Sequence, residues 1–218
     1  ITYGGSCSSS TTSATNGNNT ITLVSLSEGT YSNCTITVTD NSSNSVTLNM
    51  SSFVIDTTAP NVSSISPTDN QSGVSISDNI SVTFSEAMDT TSFNTNTSNT
   101  SCSGTLQLSS DNFSNCVQMS SSPSNSNSDK TFTLNPSNNL TRSTAYKLNI
   151  TTGVKDSAGN NLNSSFETPN GIFTSWTKQF GTGSNDHGLG IISDTSSNIY
   201  VTGITKGGLD GNSSAGDE

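Results

Sequence analysis

Few side chains in this sequence have the type and spacing that catalysis needs. The single histidine, His187, stands beside Asp186 in a glycine-rich stretch; this pair is at most a fragment of a hydrolytic triad, and the alternative is an ordinary loop residue. No serine elbow motif and no second histidine accompany it. Glu86 and Asp89 could be considered as a carboxylate pair for glycoside cleavage. The sequence thus offers no complete catalytic arrangement.

Acidic residues are better candidates for binding a cation. Asp40, Asp56, Asp69 and Asp78 follow one another at short intervals in an oxygen-rich, acidic chain. Carboxylate and carbonyl oxygens are the ligands that calcium prefers. The alternative is that these aspartates only hydrogen-bond to backbone amides in local turns. The residue types alone leave both interpretations open.

Four cysteines, Cys7, Cys34, Cys102 and Cys116, could fasten the chain covalently. Three pairings are possible in principle, and the pairing of neighbours keeps each bridge on one side of Pro60. The absence of a C-x-x-C motif and the single histidine argue against a zinc site. Disulfides indicate an oxidising, exported environment.

Composition and charge argue against several classes of partner. Ser, Thr and Asn supply 108 of the 218 residues, so only thin apolar cores can form. A formal net charge of −10 without a basic patch makes nucleic acid and anionic membrane surfaces poor partners. No apolar run has the length that spans a bilayer. Because the chain begins at Ile1 rather than Met, we expect it to be part of a longer protein.

The apolar residues follow the period-two pattern of strands. Cys34, Ile36 and Val38 alternate with threonines, and Val46, Leu48 and Met50 repeat the pattern after a five-residue loop, which predicts a hairpin with one inward face. No window has sustained helical periodicity. Further strands are predicted at 80–84, 131–134, 146–150, 171–174 and 198–202. Short strands separated by Gly, Asn and Pro favour β-sandwiches.

Turns and a stiff joint separate these strands. The pattern D-x-x-[SG]-N occurs at Asp40, Asp156 and Asp194 and predicts tight turns in which the aspartate accepts backbone hydrogen bonds. At the joint Asp-Thr-Thr-Ala-Pro, Pro60 fixes its own φ and forces Ala59 toward extended geometry. Such a joint sets the angle between neighbouring sandwiches.

Three segments resemble known bacterial families. The end of a bacterial immunoglobulin-like repeat is similar to EGTYSNCTITVTDNSSNSVTLNMSSFVIDTTAP. The immunoglobulin-like domain of S-layer and other exported proteins resembles APNVSSISPTDNQSGVSISDNISVTFSEAMD together with YKLNITTGVKDSAGNNL. A bacterial β-propeller-type repeat is similar to WTKQFGTGSNDHGLGIISDTSSNIYVTGITKGGLDGNSSAG.

These resemblances imply an all-β chain of tandem immunoglobulin-like β-sandwiches with a short Gly-rich β-repeat at the C-terminus. The expected domains are a partial sandwich at 1–58, a sandwich at 59–175 and a partial propeller-type repeat at 176–218. The resemblance also makes Glu86 and Asp89 structural, so that no catalytic residue is predicted. In related surface rods, acids of the joint and of a neighbouring turn hold calcium, which implies Asp56 and Asp40 as ligands here.

The implied function is that of a non-catalytic spacer, stalk or polymerising subunit at the bacterial cell surface or in an extracellular filament. An incomplete first sandwich could accept a strand from another copy, joined head to tail. The alternatives are an adhesin that binds a glycan or a host protein, and an accessory region of an exported enzyme. Many N-x-[ST] sequons and the Ser/Thr-rich faces are compatible with glycosylation.

Overall fold

A computed structural model describes residues 1–175, 186–193 and 199–205 of the chain. It divides into two compact units, Ile1–Ser175 and Trp176–Glu218. The described residues form antiparallel strands and one short 3-10 helix, so the predicted all-β class is confirmed. The predicted turn that begins at Asp194 lies outside the described residues.

The N-terminal region, residues 1–55, contains two small sheets. The strands are β1 (Thr2–Gly4), β2 (Gly29–Tyr31), β3 (Thr35–Thr39), β4 (Ser45–Asn49) and β5 (Phe53–Ile55). One sheet has the order β1-β3-β4, and β2 pairs with β5 in the other. The five-residue loop between β3 and β4 is the one that the sequence predicted.

The central region, residues 59–175, contains two four-stranded sheets. Its elements are β6 (Val62–Ser66), β7 (Ile80–Phe84), the 3-10 helix (Thr90–Ser92), β8 (Leu106–Ser109), β9 (Ser124–Ser126), β10 (Thr131–Leu134), β11 (Ala145–Ile150), β12 (Phe166–Glu167) and β13 (Ile172–Phe173). The first sheet has the order β6-β7-β10-β9. The second is built around β11, which pairs with β8, β12 and β13.

Alternating apolar residues of these strands build one hydrophobic core. Ile80, Val82 and Phe84 of β7 are buried, and the intervening Ser81 and Thr83 are not. The ring of Phe132 on β10 stacks on Phe93, with 3.5 Å between the ring centroids. The other sheet contributes Leu106, Leu108, Tyr146, Leu148 and Ile150. β7, β10 and β11 thus each bury one face, as their period-two pattern predicted, whereas all three residues of β9 are exposed.

The apolar face of the first hairpin was predicted to be buried, and this prediction is wrong for β4. Ile36 pairs with Leu48, and Val38 pairs with Val46, so these four side chains share one face of the sheet. Leu48 is 59% exposed and Val46 is 63% exposed. The alternation was predicted correctly, but the residues of β4 are exposed, and the hydrophobic core contains no residue of this region.

The second unit is described only by a hairpin, β14 (Asp186–Ser193) and β15 (Ile199–Thr205). The two strands pair antiparallel, with an irregularity between Gly188 and Gly190. His187 lies in β14 and pairs with Ile204. No helix in the described part of the chain is long and apolar enough to cross a membrane.

Candidate functional site

Three carboxyl groups from distant parts of the sequence meet beside the joint, residues 56–60. Asp56 follows β5, Glu86 lies just after β7, and Asp156 begins the turn after β11. One oxygen from each lies within 4.8 Å of the other two. Asp156 is buried, whereas the other two are partly exposed. We refer to these three residues as the acidic cluster.

A tight turn holds Asp156 in place. Its Oδ1 accepts hydrogen bonds from the backbone amides of Ala158 at 2.8 Å and Asn160 at 2.9 Å. Its Oδ2 accepts one from Nδ2 of Asn160 at 2.8 Å. The same Nδ2 also donates to the carbonyl oxygen of Asp56 at 3.1 Å. The turn predicted at Asp156 therefore also fastens the joint to the central region.

The surroundings of Glu86 favour its protonated form. Burial raises the pKa of the Glu86 carboxyl, and the negative charges of Asp56 and Asp156 raise it further. A hydrogen bond from Ser85 opposes this shift without cancelling it. The cluster therefore concentrates negative charge that a bound proton or a cation would neutralise.

The joint is also fastened to the N-terminal region. The hydroxyl groups of Thr57 and Thr58 donate to Oε2 of Glu28, at 3.2 Å and 2.7 Å. The backbone amide of Thr58 donates to Oδ1 of Asp56 at 3.0 Å. Asn160 of the central region also donates to the joint, so the joint is hydrogen-bonded to both neighbouring regions.

Of the two aspartates predicted as calcium ligands, only Asp56 belongs to the acidic cluster. Asp40 lies in its own turn, where its carboxylate accepts hydrogen bonds from Ser42 and Asn44. The side-chain amide of Asn44, together with the backbone amides, lowers the pKa of Asp40. The donor set of the cluster, three carboxylates, suits a hard cation, although both oxygens of Asp156 also accept hydrogen bonds.

Glu86 and Asp89 have separate structural roles. Glu86 faces the acidic cluster, whereas Asp89 caps the 3-10 helix by accepting a hydrogen bond from the backbone amide of Thr91 at 2.9 Å. Hydrogen bonds from Thr91 lower the pKa of Asp89. The pair that glycoside cleavage would need is therefore divided between two local structures.

Two features of the structure were not predicted from the sequence. Asp111 begins a fourth turn of the form D-x-x-S-N, and its carboxylate binds the backbone and side-chain amides of Asn115 at 2.8 Å and 2.9 Å. The motif itself would have found this turn. The approach of Glu86 to Asp156 depends on tertiary structure, and no local sequence signal could have indicated it.

The cysteines pair as neighbours in the sequence. Cys7 bonds to Cys34, and Cys102 bonds to Cys116. Cys7 and Cys34 are themselves buried, in a region that contributes no residue to the hydrophobic core. The bridge between Cys7 and Cys34 therefore fixes the start of β3 in a region that has no hydrophobic core to do so.

Comparison with known families agrees with the geometry. Residues 56–175 match the family described as a bacterial Ig-like domain. Residues 175–210 match the family described as a beta-propeller repeat. Both resemblances that the sequence suggested for these segments are thus confirmed. A search of curated proteins gave no match to the chain.

Solved structures of a bacterial S-layer protein are also similar. The N-terminal part of the bacterial S-layer protein SbsC is 17% identical, with a TM-score of 0.39, over 66% of this chain and 32% of that one. Domains 1-6 of the surface layer protein SbsC are 17% identical, with a TM-score of 0.38, over 66% of this chain and 19% of that one. This chain therefore spans about a third or less of the length of those structures.

Proposed function

Because the chain belongs to the family of bacterial Ig-like domains, we propose that it is a non-catalytic structural segment of a bacterial cell-surface or extracellular filament protein. In this role it spaces or displays other domains, or polymerises. The observation that carries the proposal is the joint, which is hydrogen-bonded to Glu28 on one side and to Asn160 on the other. A joint fixed in this way transmits orientation along a rod.

The proposed domains are 1–58, 59–175 and 176–218. The two family matches, at 56–175 and 175–210, support the positions of both boundaries. The two disulfides support an exported location. The use of Asp40, Asp89, Asp111 and Asp156 as turn or cap residues supports a structural role for the acids of the described part of the chain.

A second copy of the chain is the proposed partner, through β4 and its apolar face. β4 lies at the edge of its sheet, all five of its residues are exposed, and its pairing with β3 has no bulge. Natural edge strands are usually protected by lysine, proline or a bulge, and β4 has none of these. A strand donated by another copy would pair with this edge and place its own side chains beside Val46 and Leu48.

Calcium at the joint remains a proposal for Asp40 and Asp56. The position of Asp56 in the acidic cluster supports its part of this proposal, whereas Asp40 lies outside the cluster. Calorimetric titration of the full chain with Ca²⁺ tests it, with Mg²⁺ as the control. Heat of binding that Asp56→Asn abolishes supports it; no heat of binding, or heat unchanged in that variant, contradicts it.

Electron microscopy of the full chain, before and after addition of a chelator, tests the polymerising role. We expect filaments whose repeat is one chain, and fewer filaments for Val46→Lys, because a buried ammonium group would oppose strand exchange. Ser122→Lys, an exposed loop change, is the matched control. Short isolated rods for wild type and both variants would contradict polymerisation and leave the spacer role.

A further inference from the structure

The sequence contains two Asn-Gly pairs, Asn16-Gly17 and Asn170-Gly171. Because glycine has no Cβ, its backbone nitrogen is unusually free to approach the side chain of the preceding asparagine. Both asparagines are exposed to solvent. Exposure alone therefore does not distinguish them, and any difference in reactivity must come from their local contacts.

The first pair lies in a turn that Asn19 closes by hydrogen bonds with Thr15 and Gly17, but its two reacting groups are not part of those bonds. Gly17 has φ +103, and no other heavy atom lies within 4 Å of the position where a Cβ would stand. Neither the side chain of Asn16 nor the amide of Gly17 has a hydrogen-bond partner within residues 1–175. The one local contact is a hydrogen bond that the carbonyl of Gly17 accepts from Asn19. Both reacting groups are therefore free to meet.

The second pair is clamped by Asp69. Nδ2 of Asn170 donates to Oδ2 of Asp69 at 2.9 Å, and the amide of Gly171 donates to Oδ1 at 2.8 Å. The backbone amide of Asn170 donates to the same Oδ1 at 3.1 Å. A carboxylate thus holds the nitrogen that would attack and the amide group that would be attacked, each in a fixed direction.

We propose that Asn16 is a site of spontaneous deamidation and that Asp69 protects Asn170 from the same reaction. A base in solution removes the amide proton of Gly17, and the nitrogen attacks Cγ of Asn16. The Cγ–Nδ2 bond breaks, ammonia leaves and a cyclic imide forms. Water then opens the imide at either carbonyl, which gives aspartate or isoaspartate and adds one negative charge.

Peptide mapping by mass spectrometry of the full chain, incubated at mildly alkaline pH, tests this proposal. We expect Asn16 to convert about tenfold or more faster than Asn170. At Asn170 the two hydrogen bonds to Asp69 must break before the nitrogen can attack, and the rate falls exponentially as this activation barrier rises. The same chain incubated in urea is the matched control, in which the two sites should convert at similar rates.

Asp69→Ala provides the second arm of the test. It removes the three hydrogen bonds to Asp69 and leaves the one from the amide of Asn70 to the carbonyl of Gly171 at 2.7 Å, so conversion at Asn170 should rise toward that at Asn16, while conversion at Asn16 stays unchanged. Equal conversion of both sites in the folded wild-type chain would overturn the proposal. A difference that persists in urea, or an Asn170 that stays protected in Asp69→Ala, would overturn the protective role of Asp69.

Discussion

At the scale of the residue, the charge of Glu86 is the main electrostatic cost beside the joint. Its carboxyl is partly buried and faces Asp56 and Asp156. No basic side chain of the described residues pairs with it. A raised pKa means that the folded state holds a proton more tightly than the unfolded chain does. Stability therefore falls as the pH rises from the ordinary value of glutamate, 4.5, through the higher pKa of the folded state.

Replacing Glu86 by glutamine should remove this cost. We expect Glu86→Gln to raise the melting temperature at neutral pH and to have little effect at a pH below the ordinary glutamate value, where Glu86 is protonated in both states. Thermal unfolding at the two pH values measures this. Glu167→Gln is the control, because Glu167 pairs with Lys147 on the surface. A melting temperature lowered at neutral pH by Glu86→Gln would contradict the prediction.

Backbone strain is concentrated in the loop between β9 and β10. Asn127, Ser128 and Asp129 all have positive φ, and Ser128 has φ +51. A left-handed conformation costs a non-glycine residue about 1–2 kcal/mol. We expect Ser128→Gly to stabilise the chain by up to about 1 kcal/mol, after the entropy that glycine adds to the unfolded state is subtracted. Urea unfolding measures the change.

The matched control for that substitution is Ser126→Gly, in the extended backbone of β9. There glycine relieves no strain and should destabilise by about 0.5–1 kcal/mol. Effects of the same sign and size at both positions would show that the loop conformation does not govern the stability of this hairpin.

At the scale of the element, strands that bury one face were predictable and strands defined only by their partners were not. Ile80–Phe84 alternates because its apolar residues must reach the core. Ser124–Ser126 has no apolar residue, and only its pairing with β10 makes it a strand. The turn at Asp156 was predictable from its motif, whereas its contact with Glu86 depends on how the sheets pack.

The N-terminal region should depend on its disulfide more than the central region depends on its own. Both bridges should contribute roughly 3–4 kcal/mol by chain entropy, but only the central region also has a hydrophobic core. We expect the double variant Cys7→Ser, Cys34→Ser to exchange amide hydrogens rapidly in residues 1–55 and to retain protection in β7, β10 and β11. Hydrogen exchange with mass spectrometry measures this.

The corresponding variant Cys102→Ser, Cys116→Ser is the control for that experiment. It should lower the stability of the central region without unfolding it, because Leu106 and Leu108 still pack in the core. Loss of protection throughout residues 1–175 in the first double variant would show that the N-terminal region does not unfold separately.

At the scale of the whole molecule, few side chains supply the hydrogen bonds that hold the joint. Glu28 alone accepts the hydroxyl groups of Thr57 and Thr58. We expect Glu28→Ala to make the joint several times more susceptible to limited proteolysis, because local opening exposes the extended backbone. Glu167→Ala, which removes only a surface ion pair, is the control. Unchanged cleavage at the joint would contradict the role of Glu28.

The bridge between Cys7 and Cys34 also limits how far the chain can be stretched. When the two ends of this region are pulled apart, the load passes directly through the sulfur atoms across 27 positions of sequence. An extended residue spans about 3.4 Å, so roughly 90 Å of contour length cannot be drawn out while this bridge is intact. The bond that compensates for a missing core thus sets the mechanical extensibility of the N-terminal region.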